Sequence, residues 1–453
     1  MIRNTAYRYR LYPNKEQAAF LEKQFGCVRY AYNTLVSKNK EDYLIKNIKY
    51  SFKNNLAFIT HLKYQDGYLF LKEGIAQSLQ VAVSNFDTAM NNLFFGIARP
   101  PRYHKKREYQ SIKISQSFEI NKEENLLFIP KLETGIKINI HRPLPKMEAS
   151  YTRKSKFRKK DALIKEVKSN IISITISKMA SGKYYVSVAC EEDIEELTPN
   201  NNIIGLDLGI KSFLVNSKGD EIPNPRYLER AESRLRHEQK RFSKMKKGSK
   251  RREKQRIKLA RLHDKVANQR KDFLHKLSRA IVNENQVIIA ETLRVANMIR
   301  NHKLAKAIAS CGWGLFLEML KYKSEWAGRI FYQIGTFFAS SKLCSACGYK
   351  NDNLTLSIRE WTCPECGVVH DRDENAAINI LNKGIEDLTK AGRLLFKEPS
   401  GIGMLPDANQ KLDMLRNDSS EAEALTSTSP DFQVKQVGSL TREISALSGN
   451  SSQ

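Results

Sequence analysis

Long apolar runs are missing from this 453-residue chain, and so is a cysteine pattern of the disulfide type. No stretch of about 18 consecutive apolar residues occurs, so the sequence predicts no membrane-spanning helix. Residues 1–12 alternate polar and aromatic side chains and lack the apolar core of a signal peptide. The seven cysteines are an odd number, which argues against a disulfide framework. We therefore expect a cytoplasmic protein with no membrane partner.

Acidic residues are scarce relative to basic ones. The chain has 76 Lys and Arg against 49 Asp and Glu, which gives a formal net charge of +27 and a pI near 9.7. Because the cations are clustered, this excess favours a polyanionic partner, with nucleic acid first, over a surface of merely solvated lysines. The length predicts roughly two to four folding units, since a single core rarely grows so large.

The apolar periodicity divides the first half of the chain into two kinds of structure. Residues 14–95 show mainly helical spacing and begin with Asn14 and Gln17, which are typical of a helix cap with its reciprocal partner. Short alternating runs start at Ser111 and, together with a first strand, predict an antiparallel β-barrel. The charged run at residues 153–160 predicts a loop on a phosphate backbone.

The second half changes character near residue 200. Apolar strands there are separated by long basic helices and followed by a cysteine-rich stretch, which predicts a new α/β domain. Beyond about residue 395 the sequence is rich in Ser and Thr and loses its basic excess. We expect much of that tail to be disordered.

Four of the cysteines form two C-x2-C pairs separated by 15 residues, and a glycine follows each pair. A tight turn lets both thiolates of one pair reach the same ion, and two pairs complete a tetrahedron. A closed shell of four thiolates leaves no position for water or substrate. The pattern therefore predicts a structural zinc ion held by Cys344, Cys347, Cys363 and Cys366.

Two carboxylates end apolar runs that otherwise resemble buried strands. Asp207 follows residues 203–206, and Glu291 follows residues 287–290. A buried unpaired acid is costly, whereas a divalent cation supplies the missing positive charge. A third acidic stretch, residues 370–374, opens an amphipathic helix, where Asp371 or Asp373 could also be a plain helix cap. The set predicts a Mg²⁺ centre suited to phosphodiester cleavage.

Several of these motifs together resemble the TnpB proteins encoded by bacterial and archaeal insertion sequences. The likeness extends to the start of the chain and covers about residues 1–384. The segments that carry it are residues 7–17, 25–30, 205–210, 288–293, 340–348 and 370–377.

The resemblance implies an α/β multidomain fold in which an RNase H-like (RuvC) nuclease domain contains an inserted zinc ribbon. It further implies a preceding β-barrel wedge domain with an inserted helical recognition lobe, as in type V CRISPR effectors. The implied boundaries are 1–13 with 110–200 for the wedge, 14–109 for the lobe, 201–340 for RuvC with inserted basic helices, 341–369 for the ribbon, 370–394 for the last RuvC helix and 395–453 for a disordered tail.

The resemblance also implies an RNA-guided DNA endonuclease that binds a guide RNA from its own transposon and cuts target double-stranded DNA beside a short transposon-associated motif. By motif match, Asp207, Glu291 and Asp373 are the catalytic acids, with Asp371 as the other possible third acid. A monomer with its RNA is expected. Two other functions remain open at this point: an RNA-guided repressor or scaffold that does not cut, and a transposase on the same nuclease fold.

Three basic segments predict contacts with nucleic acid. Residues 99–107 combine cations, one aromatic ring and two prolines, which is typical of a stiff arm that stacks and pairs with phosphates. Residues 240–258 contain eleven Lys or Arg and one acid, which favours a helix-loop-helix that follows phosphates, although a solvated helix is the alternative. The residues that we predict to contact nucleic acid are Arg102, Lys105, Lys106, Lys246, Lys247, Arg251, Arg252 and, by resemblance, Arg359 between the cysteine pairs.

Overall fold

The computed structural model describes residues 2–44, 50–106, 109–145, 171–355, 357–393, 395–397 and 401–403. The basic loop predicted at residues 153–160 lies outside this part of the chain, as does all of the predicted tail except two short strands. No helix among the described residues combines the length and the apolar character needed to cross a membrane.

An antiparallel sheet of seven strands forms the first layer. Its spatial order is β2-β6-β7-β1-β5-β4-β3. The first strand is central because it pairs with β7 from Ile2↔Asp193 to Leu11↔Tyr184 and with β5 through its last residues. The strands are β1 (Ile2–Tyr12), β2 (Gln110–Ile114), β3 (Glu119–Asn121), β4 (Leu126–Ile129), β5 (Leu132–Asn139), β6 (Ile171–Lys178) and β7 (Tyr184–Asp193).

Helices lie between β1 and β2, where the apolar spacing predicted them. Asn14 and Gln17 form the predicted cap: the backbone N–H of Gln17 donates to Asn14 Oδ1 at 2.8 Å, and that of Asn14 donates to Gln17 Oε1 at 3.0 Å. The helices pack around their own core of aliphatic and aromatic side chains. They are α1 (Lys15–Leu44), α2 (Phe52–Leu62), a 3-10 helix (Leu69–Glu73) and α3 (Ala76–Phe94).

The sheet is a half-barrel, where the sequence predicted an antiparallel β-barrel. Within the described residues, the edge strands β2 and β3 are not paired with each other. A helix takes the place of further strands, since Leu21 and Phe25 of α1 and Ile75 fill the same core as the inward side chains of the sheet. With its apolar face covered in this way, the sheet has no hydrophobic need to close on itself.

A second, mixed sheet begins after residue 200, with the order β10-β9-β8-β11-β12. The strands β8, β11 and β12 are parallel, whereas β9 and β10 continue the sheet in antiparallel fashion. The inner parallel strands β8 and β11 are buried on both faces, which explains their continuous apolar sequences. The strands are β8 (Ile203–Asp207), β9 (Ser212–Asn216), β10 (Glu221–Pro223), β11 (Val287–Glu291) and β12 (Ile330–Ile334).

Helices cover both faces of this sheet. Alternate residues of β11 point to opposite faces of the sheet. Ile288 and Ala290 pack in the core beneath α5 (Lys250–Glu284) and α8 (Trp313–Trp326). Val287 and Ile289 pack in the core beneath α9 (Arg372–Lys390). The remaining elements are α4 (Tyr227–Lys244), α5 (Lys250–Glu284), α6 (Val295–Met298), α7 (Ala305–Cys311), α8 (Trp313–Trp326), β13 (Glu360–Thr362), β14 (Val369–Asp371), α9 (Arg372–Lys390), β15 (Leu395–Lys397) and β16 (Gly401–Gly403).

Two glycines let α9 lie directly against the sheet. A Cβ at Gly205 of β8 would stand 2.4 Å from the carbonyl oxygen of Ala377 and 2.9 Å from the backbone nitrogen of Leu381. A Cβ at Gly384 of α9 would stand 2.3 Å from a methyl carbon of Ile289. Since heavy atoms cannot approach so closely, side chains at these positions would push the helix away. This contact sets where the start of α9 lies.

We expect Gly205→Ala to lower the free energy of unfolding by about 2 kcal/mol, because the atoms that it would meet are backbone and cannot move aside alone. Urea unfolding would measure the loss. The matched control is Gly314→Ala in α8, where nothing lies within 4 Å of the added carbon. Equal stability of the two variants would contradict this account of the α9 contact.

Candidate active site and metal centre

Asp207 and Glu291 lie side by side at the carboxyl ends of two neighbouring parallel strands. The pairing of β8 with β11 places Leu206 beside Ala290, so the next residue of each strand is an acid. Their side chains are half-buried and hydrogen-bonded to each other. The strand β11 therefore brings Glu291 to the same edge of the sheet as Asp207 of β8.

The pKa of Asp207 is raised well above its usual range. Burial is the largest cause, followed by the hydrogen bond and the charge of Glu291 and then by the charge of Asp373, while Arg372 acts weakly in the opposite direction. A carboxylate in such surroundings lacks positive charge. The donor set therefore fits a hard divalent cation, which oxygen ligands would hold.

The third predicted acid, Asp373, lies in the first turn of α9, whereas Asp371 caps that helix. The Asp371 carboxylate accepts hydrogen bonds from the backbone N–H groups of Asp373 at 2.9 Å and Glu374 at 3.0 Å. Both bonds go to Oδ1 of Asp371, which is thus engaged in capping. Of the two, Asp373 is the one whose charge acts on Asp207. The geometry favours Asp373 as the third member of the acidic group.

Arg359 supplies a counter-charge to Asp373. Its Nη1 lies 3.0 Å from Asp373 Oδ1 and 3.2 Å from Oδ2, and both side chains are partly exposed. The backbone also holds the arginine in place, since the N–H of Arg372 donates to the carbonyl of Arg359 at 2.7 Å. Arg359 therefore lies beside the acidic group, where we predicted a cation near phosphate.

The four predicted cysteines meet in one cluster. Their sulfur atoms all lie within 4.8 Å of one another, with 3.6 Å from Cys344 to Cys366 and 3.6 Å from Cys347 to Cys363. Within the part of the chain that the structure describes, this is the one group of three or more Cys, His, Asp or Glu residues that are so close. The three acids are thus neighbours but do not converge as tightly as the thiols.

The pKa values of these thiols indicate that the cluster requires a cation to hold all four as thiolates. Burial alone would raise the pKa of Cys363. Backbone hydrogen bonds from Cys366 and Glu365 lower this pKa to about 7. The pKa of Cys347 is about 12: a backbone hydrogen bond from Tyr349 lowers it, but desolvation and the neighbouring sulfurs raise it more. Four thiolates cannot form together without a cation among them. The cluster could therefore hold one tetrahedral metal ion.

Polar side chains of α9 attach this cluster to the helix that carries Asp373. The buried amide of Asn375 accepts from the backbone N–H of Ser345 at 2.9 Å and donates to the carbonyl of Leu343 at 2.6 Å. Asn379 donates to the carbonyls of Ser340 and Leu343. We call Asn375 and Asn379 the asparagine clamp.

A histidine next to the cap gives a second connection. His370 is buried, and its Nε2 lies 3.0 Å from the sulfur of Cys344. It pairs with Trp361 across the β13–β14 hairpin, and the two rings lie 5.0 Å apart. His370 precedes Asp371 directly, so one short segment contacts the cysteine cluster and begins the helix of the third acid. Neither this histidine nor the clamp was predicted from the sequence to have a role.

The basic arm is fixed on α1. Asn33 donates to the carbonyl of His104 at 3.0 Å and accepts from its N–H at 2.8 Å, and the His104 ring stacks on Tyr32 at 4.0 Å. These contacts fix the backbone of the arm against α1, while the residues of the arm that we predicted to contact nucleic acid are exposed. These residues are Arg102, Lys105 and Lys106.

The predicted helix-loop-helix is a hairpin of α4 and α5. Lys246, Lys247 and Arg251 are exposed at or beside its turn. Arg252 points inward instead, because its guanidinium lies 4.4 Å from the centre of the Phe242 ring and donates to the carbonyl of Met245 at 3.2 Å. The geometry thus favours a role for Arg252 in closing the turn.

A ladder of arginines and tyrosines, which the sequence did not lead us to predict, lies on the half-barrel. Arg8 lies 4.1 Å from the centre of the Tyr185 ring, and Arg10 lies 5.1 Å from Tyr185 and 5.4 Å from Tyr12. These side chains project from the face of β1 and β7 opposite the core. The signal was present in the alternation of residues 7–12, which predicted a strand but was not used to assign its outer face.

Comparison with known proteins identifies the family. The family described as "Probable transposase" (OrfB of IS605 elements) matches residues 185–302, its helix-turn-helix domain matches residues 1–45, and the "Cas12f1-like, TNB domain" matches residues 313–380. A protein of Streptomyces pristinaespiralis named "Putative RNA-guided DNA endonuclease" is 36% identical over 380 residues, which cover 84% of this chain and 89% of that protein. The chain belongs to the TnpB family.

More distant relatives of this TnpB protein agree. "Putative RNA-guided DNA endonuclease InsQ" of Escherichia coli K12 is 24% identical over 88% of this chain and 98% of its own length. The Cas12f1 chain of a Cas12f1–sgRNA–target DNA complex superposes with a TM-score of 0.51 at 15% identity, over 82% of this chain and 83% of that one. The TnpB chain therefore shares its overall fold with Cas12f1.

The asparagine clamp should stabilise this TnpB fold. We expect Asn375→Ala to lower the free energy of unfolding by about 2 kcal/mol, because two buried hydrogen bonds are lost. It should also weaken metal retention by the cysteine cluster, measured as metal content after dialysis. Asn268→Ala, on an exposed face of α5, is the control and should change stability by less than about 0.5 kcal/mol. A clamp variant as stable as the control would refute the clamp.

Asp207→Asn should raise the melting temperature of the metal-free TnpB protein. The raised pKa means that ionised Asp207 costs stability, and this cost appears as pH rises from the ordinary range of an Asp through the raised value. The gain from Asn should therefore be small near pH 4 and larger near pH 8, measured by calorimetry in a chelating buffer. The exposed residue Asp66 gives the control, Asp66→Asn. The same gain at both pH values would contradict the charge argument.

Proposed function

We propose that this TnpB protein is an RNA-guided DNA endonuclease encoded by an insertion sequence, and that its nuclease centre is of the RNase H-like (RuvC) type. One observation carries the proposal: Asp207, Glu291 and Asp373 come from three distant parts of the chain and act on one another at one edge of a sheet. A nuclease that cleaves phosphodiesters with divalent metal ions uses such a group of carboxylates to hold the ions.

The fold supports the nuclease assignment. Three parallel strands beside an antiparallel pair, in the order β10-β9-β8-β11-β12, are the arrangement expected of an RNase H-like domain. The half-barrel and the helices of residues 15–94 correspond to the wedge domain and the recognition lobe of our proposal, and the segment around the cysteines corresponds to a zinc ribbon. The names of the relatives support the guided activity, since those proteins are described as RNA-guided DNA endonucleases.

Asp207, Glu291 and Asp373 would hold Mg²⁺, which suits hard oxygen ligands. When bound, Mg²⁺ supplies an activated water and stabilises the leaving oxygen in phosphodiester hydrolysis. Asp207 and Glu291 are already positioned by their strands, whereas Asp373 must exchange its ion pair with Arg359 for a cation. Arg359, once released, would pair with a phosphate of the DNA.

Zn²⁺ would occupy the cysteine cluster and have a structural role. The four sulfurs leave no open ligand position, so chemistry at this ion is not expected. Its effect on the nuclease centre would be through the asparagine clamp, which attaches the cluster to the helix that bears Asp373. Zinc would thus help to fix the third acid.

Guide RNA and target double-stranded DNA are the proposed partners of the basic surfaces. The arm with Arg102, the α4–α5 turn with Lys246 and the ladder with Arg8 all present cations, and two of these surfaces add aromatic rings on which bases can stack. The RNA would derive from the transposon end. Base pairing would specify the target, while the protein would read a short adjacent motif. We expect one protein chain for each RNA.

Purification with the copurifying RNA, followed by cleavage of matching duplex DNA with Mg²⁺, tests the proposal. The intact protein should cut, and Asp207→Ala, Glu291→Ala and Asp373→Asn should each abolish cutting because the cations lose a ligand. Asp371→Asn is the matched control and should retain cutting, since Asn also caps helices well.

Other results would favour other functions. Specific RNA and tight DNA binding without cleavage by the intact protein would indicate a guided repressor. Joined DNA ends instead of free breaks would indicate strand transfer by a transposase. Equal cleavage by the intact protein and Asp207→Ala would remove the acidic group from the mechanism.

A further inference from the structure

Phe337 is the most exposed of the large apolar side chains that the structure describes, with 88% of its surface open. The turn that carries it is well anchored. The N–H of Phe338 donates to the carbonyl of Gly335, and the Phe338 ring packs against the core under α9. A ring held in water by a fixed turn forgoes the burial that aromatic side chains normally gain. A binding partner that covers the Phe337 ring would account for this exposure.

The position of Phe337 is next to the acidic group. Glu291 pairs with Ile334 across β11 and β12, and Thr292 donates to the carbonyl of Ile334 at 2.7 Å. Phe337 follows Ile334 by three residues, a stretch that spans at most about 10 Å. The ring therefore lies beyond the carboxyl end of β12, at the same sheet edge as the acids.

A cation accompanies the ring. Arg294 follows Glu291 by three residues, and its guanidinium carbon lies 5.5 Å from the centre of the Phe337 ring. The arginine is exposed. An aromatic face with an adjacent guanidinium offers stacking for a base and an ion pair for its phosphate. Paired bases in a duplex are already stacked on both sides, whereas an unpaired base has free faces.

We propose that Phe337 and Arg294 form a subsite for one unpaired nucleotide of the DNA strand at the acidic centre. The base stacks on Phe337, and Arg294 pairs with the neighbouring phosphate. This subsite rests on the proposed nuclease function and deepens it. The three carboxylates repel a DNA strand, so an attraction from stacking, which does not depend on charge, would hold that strand beside them.

The test uses the full chain with Asp207→Ala, so that no DNA is cut. The probe is a single-stranded DNA oligonucleotide with one 2-aminopurine, whose fluorescence falls when it stacks. We expect the Asp207→Ala protein to quench the probe, and Phe337→Ala on that background to remove the quenching and weaken binding about tenfold, the loss typical of one stacked base. Phe337→Leu should behave like Phe337→Ala, and Phe337→Tyr should restore quenching.

Phe95→Ala is the matched control, because Phe95 is 77% exposed and follows α3, a helix that packs into the core of the first helices. It should quench like its parent. The subsite would be overturned if Phe337→Ala quenched the probe as strongly as its parent, or if the parent did not quench it. An equal loss of quenching in Phe337→Ala and Phe95→Ala would also overturn it.

Cleavage by chains with Asp207 intact separates the two proposals. If the Phe337→Ala variant cuts matched duplex DNA at the rate of the intact protein, the subsite is overturned and the nuclease proposal is retained. An intact chain that quenches the probe through Phe337 but does not cut would overturn the nuclease and support the subsite. A loss of cutting in Phe337→Ala that Phe337→Tyr restores would support both.

Discussion

The close approach of α9 to the parallel strands is the constraint on which the rest of this molecule depends. Gly205 and Gly384 leave no side chain at the contact, so the helix lies against the sheet at backbone distance. Asp207 follows Gly205 by two residues, and Asp373 lies in the first turn of the helix. A helix displaced by the width of one methyl group would carry the third acid away from the other two.

The same helix joins two sites of different chemistry. Its amino-terminal turn brings Asp373 to the carboxylates, and its polar face holds the backbone beside the cysteines through Asn375 and Asn379. His370 touches the sulfur of Cys344 just before the helix begins. Order in the cysteine cluster is therefore transmitted over a few residues of backbone to the acidic group, without a role for the cluster in the chemistry.

Charge is distributed unevenly for a clear physical purpose. The chain carries a net charge of +27, yet Asp207 lies among other acids, which together with burial raise its pKa. Basic residues on the arm, the α4–α5 turn and the ladder lie on other elements. These larger basic surfaces attract polyanions, whereas beside the acids the cations are single residues such as Arg359.

Much of the site could be foreseen from local sequence. Cysteine spacing identified the four thiols, and apolar runs ending in Asp207 and Glu291 identified two strands, because burial on both faces leaves a continuous apolar signature. The asparagine clamp, the ladder and the inward turn of Arg252 were not foreseen. Each depends on residues that are distant in sequence or on which face of an element points outward.

Local patterns thus established element types, the candidate ligands and the family. Folding settled three further matters: that α1 fills the half-barrel, that Asp371 caps α9 while the charge of Asp373 acts on Asp207, and that Arg359 pairs with Asp373. Periodicity and spacing report on the ten or so residues around a position. The pairing of Arg359 with Asp373, and the effect of Asp373 on Asp207, depend on how separate segments pack together, which local pattern does not encode.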